Sequence, residues 1–386
     1  MNSTVLVVDD SRLNRQVIKL ALAPIGYRIL EAQNGREAID RLQTQMVDLI
    51  LLDLIMPVMS GFEFLEWRRT NPPCDSIPVI VSSSLDDFES IERALGLDTY
   101  DYFIKPLTAQ DLKNILPLKI KNAIHAKKLY DQIKESNERF QREVELAATY
   151  QRFLLPDDPK LAGLSLATFY QPFSGVAGDF FDVIALEDGV AFLIADASGH
   201  GLLSAMVSSL LKPLFHQYIS QTRSPAQTFT RLNDDLMRLT RDEDYITAFC
   251  AVYERSASRL TYASAGHPEQ FLWQSRSGQV ARLGSEGFFL GMFPCDHQVF
   301  CQEEKSIEVA PGDRLLLFTD GCIEARDPAG VQFGSRRWLE TFLETANLAP
   351  RQASGRLWEA LTAHAGARLQ DDVAFMIIQF GEESAS

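Results

Sequence analysis

Two sets of aspartates stand where short apolar runs end, and each set could hold a hard cation. In the first, Asp9 and Asp10 follow the run Thr4–Val8, Asp53 follows Val47–Leu52, Ser83 follows Pro78–Ser82, and Lys105 follows Tyr100–Ile104. Ligands of open parallel sheets sit beyond the carboxyl ends of the strands, so these side chains are expected in one crevice. Three carboxylates gathered there repel one another unless a cation lies among them, and Mg²⁺ takes such oxygen ligands. The lysine adds a second compensating charge. An aspartate so placed can attack a phosphoryl group and become an aspartyl phosphate, with metal and lysine neutralising the incoming charge. Taken singly, Asp9 and Asp10 would pass as turn residues and Ser83 as a capping hydroxyl. The coincidence of polar groups at four strand ends is what points to chemistry.

The second set lies in GDFFD (Gly178–Asp182), IADASGHG (Ile194–Gly201), FTDGCIEA (Phe318–Ala325) and QDDVAF (Gln370–Phe375). Asp196 and Asp320 each end an apolar run, and Asp371 and Asp372 open one. Aspartates without a His or Cys cluster at zinc spacing suggest an oxygen-ligand site for Mg²⁺ or Mn²⁺. Two such cations sharing a carboxylate can turn a water into hydroxide at neutral pH, so attack on phosphorus needs no protein nucleophile. Gly199 and Gly201 open a long helix whose first N–H groups could assist phosphate binding. His200 is read as structural, because the glycines suffice to explain the turn, and His267 before Pro268 as a packed turn residue.

The elements that must position these residues can be read from periodicity. Five short apolar runs alternate with helical spacing over the first 120 or so residues, which predicts a parallel sheet covered by helices on both sides. Beyond it the chain is almost free of Gly and Pro, and a seven-residue repeat runs from Leu116 through Lys119, Ala123, Ala126, Tyr130, Ile133, Asn137, Phe140, Val144, Ala147 and Gln151 to Leu154. That repeat predicts a helical linker, either a coiled coil pairing two copies of the chain, with Asn137 in the seam helping to set register, or a single helix packed on its own domains. Thr108 and Asp111 supply its start signal, and Pro117 is placed to kink its root. In the remainder, strands are expected at Leu164–Tyr170, Val190–Asp196, Ile246–Glu254, Arg259–Ala265, Gln270–Gln274, Arg314–Thr319 and Val373–Phe380. Helices are expected at Leu202–Ile219, Pro225–Leu239, Arg336–Ala346 and Gln352–Ala365. Clustered strands and clustered helices favour an α+β layered sandwich.

Composition narrows the functional classes. The 386 residues carry 37 basic and 52 acidic side chains, a net charge of −15, which argues against a surface built to neutralise nucleic-acid backbones. Charge divides unevenly, from −6 over residues 1–107 to +3 over 108–155 and −12 over 156–386. Five scattered cysteines without a C-x-x-C pair read as reduced thiols. No apolar run reaches the roughly 18 residues of a membrane span, and the N-terminus has no basic leader, so a cytoplasmic protein without membrane insertion is expected.

The first constellation resembles the receiver domain of bacterial two-component response regulators, through Asp9-Asp10, Asp53 in DLILLDLIMP, Ser83, Tyr102 and Lys105-Pro106. The resemblance implies a flavodoxin-like (βα)5 domain over residues 1–118, with Asp53 as phosphoacceptor. It implies Mg²⁺ held by Asp10, Asp53 and the Ile55 carbonyl with help from Asp9, and Ser83 and Tyr102 as the switch pair. Lys105 would contact the phosphoryl group, across a cis bond to Pro106. The partner so implied is a sensor histidine kinase or phosphotransfer protein.

The second constellation, together with QRFLLP (Gln151–Pro156), Gly266-His267-Pro268, Leu290-Gly291 and Pro311-Gly312-Asp313, resembles the metal-dependent 2C-type serine/threonine phosphatases in their SpoIIE/RsbU-like bacterial branch. The resemblance covers residues 156–386, behind a linker of residues 119–155. It implies that Asp196 bridges two Mn²⁺ or Mg²⁺ ions and that the Ala197 carbonyl joins one of them. Asp320 and Asp371 would hold one metal and Asp179 the other, while Asp372 orients or substitutes for Asp371. Ala177, Phe181, Gln332 and Ala374 depart from the branch's usual residues, and none of these departures removes a carboxylate.

The function expected is a response regulator whose output is a phosphoserine/phosphothreonine protein phosphatase, regulated by phosphorylation of Asp53. By resemblance, its substrate is a phosphorylated STAS-type anti-sigma factor antagonist in a partner-switching pathway. The competing expectation is a catalytically inactive phosphatase-like adaptor that binds a sigma factor or another regulator under receiver control.

Overall fold

The computed structural model describes all residues except 1–2, 73, 85–87, 157–160, 162, 200, 241–243, 298–299, 367–368 and 382–386. The chain divides into two compact units, residues 1–140 and 141–386.

The first unit alternates β1 (Thr4–Val8), α1 (Arg12–Leu22), β2 (Arg28–Ala32), α2 (Gly35–Thr44), β3 (Leu49–Leu52), α3 (Gly61–Arg69), β4 (Val79–Ser83), α4 (Phe88–Leu95) and β5 (Asp101–Ile104), and then enters α5 (Leu116–Leu154). The sheet is parallel, in the order β2-β1-β3-β4-β5. Successive side chains of a strand point to opposite faces, and a parallel sheet buries both. Leu6, Val8, Ile50, Leu52 and Val81 accordingly pack on Ala38, Ile39, Phe64 and Leu65 of α2 and α3. Val5, Val7, Leu49 and Leu51 pack on Ile18 and Leu22 of α1 and on Leu116, Ile120 and Ala123 of α5. This is the flavodoxin-like arrangement expected.

The approach to α5 begins as expected. Thr108 and Asp111 exchange hydrogen bonds, each backbone N–H donating to the other's side chain at 2.9 and 3.1 Å. A wide π-turn over Asp111–Ile115 follows, with the Leu116 N–H reaching back to the Asp111 carbonyl. Pro117, which has no N–H to offer the ladder, stands just beyond that widened turn. Of the repeat positions, Leu116 and Ala123 are buried in the first unit and Gln151 in the second, whereas Ala126, Tyr130, Ile133, Asn137 and Phe140 are exposed.

The second unit contains β6 (Leu164–Gln171), β7 (Asp179–Leu186), β8 (Gly189–Ala197), α6 (Leu202–Thr222), α7 (Pro225–Leu239), β9 (Ile246–Glu254), β10 (Arg259–Ala265), β11 (Gln270–Gln274), β12 (Gln279–Leu283), β13 (Lys305–Glu308), β14 (Arg314–Phe318), α8 (Gly321–Glu324), α9 (Ser335–Glu344), α10 (Pro350–Ala365) and β15 (Val373–Phe380). Two antiparallel sheets, β13-β10-β9-β8-β7 and β12-β11-β14-β15-β6, face each other. Phe192, Ile194 and Phe249 of the first meet Leu315, Leu317, Met376 and Ile378 of the second. Helices α6 and α7 cover the outside of one sheet, and α9 and α10 the other, giving a layered sandwich. Strands β7, β12 and β13 were not among those expected. Strands β12 and β13 are short polar edges of their sheets. Strand β7 carries two aspartates that interrupt its apolar run; the interior Asp182 is buried against Lys212 at 3.2 Å and His216 at 3.1 Å.

Candidate functional sites

In the first unit, the ends of β1, β3 and β5 bring the expected residues together. Carboxylate oxygens of Asp9, Asp10 and Asp53 lie within 4.8 Å of one another. The Lys105 ammonium sits against two of them, donating to Asp9 at 2.7 Å and also to Asp53. Burial lowers the Lys105 pKa, and the facing Asp53 and Asp9 more than offset this, so it ends above the usual lysine value. Local capping builds the pocket floor. Ser11 caps α1, and its N–H donates to the Asp9 carboxylate at 2.9 Å. The Ile55 N–H donates to Asp53 at 3.1 Å, and Ser60 and Glu63 form a capping box at the start of α3.

Ser83 is the buried last residue of β4, and its carbonyl accepts from the Lys105 N–H at 2.8 Å. Tyr102 lies half-buried on β5, paired with Val81 of β4. The Lys105–Pro106 bond is cis. Two contributors were not recognised from sequence. The Arg15 guanidinium donates to the backbone carbonyls of Asp9 and Asp10 at 2.7 and 3.2 Å, holding the acidic turn in shape. At Gly61, a Cβ would stand 2.3 Å from the Asp53 carbonyl oxygen, so only glycine lets α3 approach the Asp53 loop this closely.

In the second unit, Asp179 opens β7 and lies directly opposite Asp196 in the β7–β8 ladder. Gly178 permits this pairing: a Cβ there would lie 2.7 Å from the Ala197 carbonyl and 3.2 Å from the Asp196 carboxylate. Asp320 follows β14, while Asp371 and Asp372 precede β15, which neighbours β14 in the opposite sheet. Burial, then Asp320, Asp371 and Asp372, push the Asp196 carboxyl up to about 8. Burial, then Asp371 and Glu324, push Asp320 up to about 6, and burial with Asp196 holds Asp179 well above the usual range. Among the described residues, no three carboxylates here close to the 4.8 Å spacing of the first site. A looser, mutually repelling set of oxygen donors fits two hard cations, each completing its shell with water.

Asp372 stands beside Asp371 and also holds a loop of the site. Its two oxygens accept from the N–H groups of Phe173 at 2.7 Å and Gly178 at 2.8 Å, so it anchors the β6–β7 loop. Asp371 is exposed and accepts from the Asp372 N–H at 2.8 Å. Gly199 and Gly201 both have positive φ, and Gly201 caps α6; His200 lies outside the described residues. His267 is buried between Thr247 at 2.8 Å and the Phe318 carbonyl at 3.1 Å, and burial pulls its pKa down to about 4, so it is a neutral packing residue.

Sequence reasoning also missed Thr319 and the role of Gln151. The Thr319 hydroxyl donates to Asp179 at 2.7 Å and accepts from the Ala374 N–H at 3.1 Å. Gln151 turns away from the repeat it belongs to: its amide donates to the Ala177 carbonyl at 2.6 Å and accepts from the Ala177 N–H at 3.1 Å. Of the departures from the family pattern, Ala177, Phe181 and Ala374 are buried and Gln332 is exposed.

Residues 187–381, just over half of the chain, match the stage II sporulation protein E (SpoIIE) family, and residues 5–117 match the response regulator receiver domain. The phosphoserine phosphatase RsbU of Bacillus subtilis (strain 168) is 26% identical over 240 residues, covering 61% of this chain and 70% of RsbU. The phosphoserine phosphatase RsbP of the same organism is 30% identical over 188 residues, covering 47% of this chain and 45% of RsbP, so the chain spans less than half of that relative. Among solved structures, the SiaA-PP2C domain of Pseudomonas aeruginosa has a similar fold, with a TM-score of 0.56 at 22% identity over 64% of this chain and 98% of that one. Two facing antiparallel sheets with aspartates at their shared rim, behind a parallel-sheet domain with its own acidic crevice, agree with both matches: the chain belongs to the SpoIIE family and carries a response regulator receiver domain at its N-terminal end.

Proposed function

We propose that this chain is a response regulator whose output is a metal-dependent phosphoserine/phosphothreonine protein phosphatase, with a receiver over 1–118, a linker over 119–155 and a phosphatase domain over 156–386. The observation that carries the reading is the in-register pair Asp179 and Asp196, both held above the usual carboxylate range by burial, with the charge of Asp196 adding to the effect on Asp179 and those of Asp320, Asp371 and Asp372 to that on Asp196. Asp196 and the Ala197 carbonyl, with Asp179 on one side and Asp320 and Asp371 on the other, are the groups that would hold two Mn²⁺ or Mg²⁺ ions. Bound there, the ions supply Lewis-acid activation of water and neutralise the phosphoryl charge. Thr319 holds Asp179 in place, and Asp372 fixes the loop that delivers it. Positive φ at Gly199 and Gly201 shapes the turn into α6, whose first N–H groups would face the phosphate.

In the receiver, Asp53 takes the phosphoryl group from a histidine kinase or phosphotransfer partner, and its carboxylate attacks phosphorus while Lys105 neutralises the charge. Asp9, Asp10, Asp53 and the Ile55 carbonyl would hold Mg²⁺, and Ser83 and Tyr102 register the modification. Helix α5 conveys the change, since Gln151 near its end grips both sides of the Ala177 peptide, two residues before Asp179. The substrate class is a phosphorylated STAS-type antagonist, supported by the likeness to RsbU and RsbP.

The exposed apolar stripe of Tyr130, Ile133 and Phe140 on α5 supports pairing of two copies. A concentration-independent monomer mass in sedimentation would exclude that pairing. The reading as a whole is tested by Mn²⁺-dependent phosphate release from a phosphoserine STAS protein. Release by the wild type and none by Asp196→Asn is expected; equal rates would leave the adaptor reading in its place. Equal rates with and without beryllofluoride at Asp53 would exclude regulation by the receiver.

A further inference from the structure

Strand β6 contributes no carboxylate to the phosphatase site, yet it places one polar group beside it. Tyr170 pairs with Ala374 across the β6–β15 ladder, two residues beyond Asp372. Cross-strand partners project to the same face of a sheet, and Ala374 belongs to the core between the two sheets. The Tyr170 ring packs against that core and meets Phe181 of β7 edge-on, with ring centroids 6.1 Å apart. Asp179 is two residues before Phe181, so it projects from the same face of β7. Phe181 and Asp372 thus place Tyr170 at the rim where the sheets present their aspartates.

The Tyr170 hydroxyl is sealed from solvent and has no hydrogen-bond partner among the described residues. Leaving a buried hydroxyl unpaired costs about 1–3 kcal/mol, and such groups in folded proteins call for an explanation. Burial, then the charges of Asp179 and Asp372, hold the phenol well above its ordinary pKa, so it is a neutral donor within the field of those carboxylates. The Thr319 hydroxyl already occupies one oxygen of Asp179.

We infer that Tyr170 is a positioning residue of the phosphatase metal site, whose buried hydroxyl donates to the Asp179 side of the carboxylate cluster when divalent cations bind. The inference rests on the phosphatase reading and deepens it. A carboxylate that ligates a cation keeps a second oxygen lone pair that a nearby hydroxyl can use, and such a donor orients the ligand. Partners of this kind orient ligating groups and commonly change metal affinity 10- to 100-fold.

The test uses the full chain in an Asp53→Asn background, which weakens the receiver's own cation site. Mn²⁺ binding is followed by calorimetry and by the thermal midpoint of the second unit, for the parent and for Tyr170→Phe. A Tyr262→Phe variant controls for loss of a tyrosine hydroxyl elsewhere in the same inter-sheet core. Tyr170→Phe is expected to weaken Mn²⁺ binding about tenfold, while the metal-free midpoint stays level or rises because an unpaired hydroxyl has been removed. Tyr262→Phe is expected to leave Mn²⁺ affinity unchanged. Affinity within twofold of the parent for Tyr170→Phe would overturn the inference, as would a metal-free midpoint several degrees lower, which would show that the hydroxyl has a structural partner. If the parent itself shows no Mn²⁺ binding at the second unit, the phosphatase reading falls and takes the inference with it.

Discussion

In the receiver crevice, Lys105 reaches into the carboxylates of Asp9 and Asp53; in the phosphatase cluster, the charges acting on Asp179, Asp196 and Asp320 are those of other acids. Both clusters gather aspartates at strand ends, but among the described residues only the first sets a lysine against its carboxylates. A crevice that is already part-neutralised can accept and release one Mg²⁺ and one phosphoryl group without large changes in its neighbours' protonation. Carboxylates crowded by other acids favour their protonated form, and burial with those neighbours raises Asp196 to about 8, so metal binding there would release protons. The contrast suits a switch at one end and a two-cation hydrolase at the other.

The largest expected effect comes from removing the carboxylate the two cations would share. Asp196→Asn is expected to lower phosphoserine hydrolysis by at least about 10²–10³-fold, the range that loss of one preorganised electrostatic partner costs. Phosphorylation of Asp53 by a small phosphodonor should be unchanged, because the receiver cluster is complete without it. If both reactions failed together, the two clusters would not be the separate devices described.

Next is Thr319→Val, which keeps the shape of the side chain and removes the hydroxyl that holds Asp179 at 2.7 Å. Mn²⁺ affinity measured by calorimetry should drop by roughly 10- to 100-fold. Unchanged affinity would mean that Asp179 is positioned by its strand alone.

The third expectation concerns pH. The Asp196 and Asp320 carboxyls, raised to about 8 and about 6, keep protons that the unfolded chain releases near pH 4. The folded, metal-free state therefore binds more protons through this interval, and its stability declines as pH rises through about 6 and then about 8. One pKa unit corresponds to about 1.4 kcal/mol, so a loss of at least that size between pH 5 and pH 8.5 is expected. That loss lowers the thermal midpoint in chelator by at least roughly 3–6 °C for a unit of this size. Mn²⁺ should reverse it, and more strongly at high pH; the Asp196→Asn variant should show a shallower slope. A midpoint in chelator that rises over the same interval, with no difference between the variant and the parent, would contradict the assigned protonation.

How far these clusters could be read from the sequence differs in an instructive way. In the receiver every strand is parallel and the central strands β1, β3 and β4 are buried on both faces, so apolar runs mark the strands and the residues just after them mark the site. Thr4–Val8 and Arg28–Ala32 were therefore legible to the residue. In the phosphatase unit, the expected strands Ile246–Glu254 and Val373–Phe380 were equally clear, but β7 was hidden. Its aspartates interrupt the apolar run, and the lysine and histidine that accommodate Asp182 lie 30 and 34 residues away on α6. Asp372 reads as a ligand beside Asp371 until the loop at Phe173 and Gly178, some 200 residues earlier, is seen to use both its oxygens. Gln151 satisfies a heptad and shows its packing only against Ala177. Apolar period is local information, whereas the partner of a buried polar group is not.

The smallest effect tests the same contrast inside one strand. Asp182 is as buried as Asp179, but it is matched by Lys212 at 3.2 Å and His216 at 3.1 Å, and so resembles the receiver arrangement. Breaking a fully buried ion pair costs about 3–5 kcal/mol. Lys212 is partly exposed and His216 remains to donate, so Lys212→Met is expected to destabilise the second unit by only about 1 kcal/mol in denaturant titration. Mn²⁺ should not recover that loss, because the vacated position lies on the α6 side of β7 and a single carboxylate there offers a cation too few oxygen ligands. Full recovery by Mn²⁺ would show that Asp182 belongs to the metal-binding cluster, and the division between carboxylates neutralised by the protein and carboxylates awaiting a cation would have to be redrawn through the middle of β7.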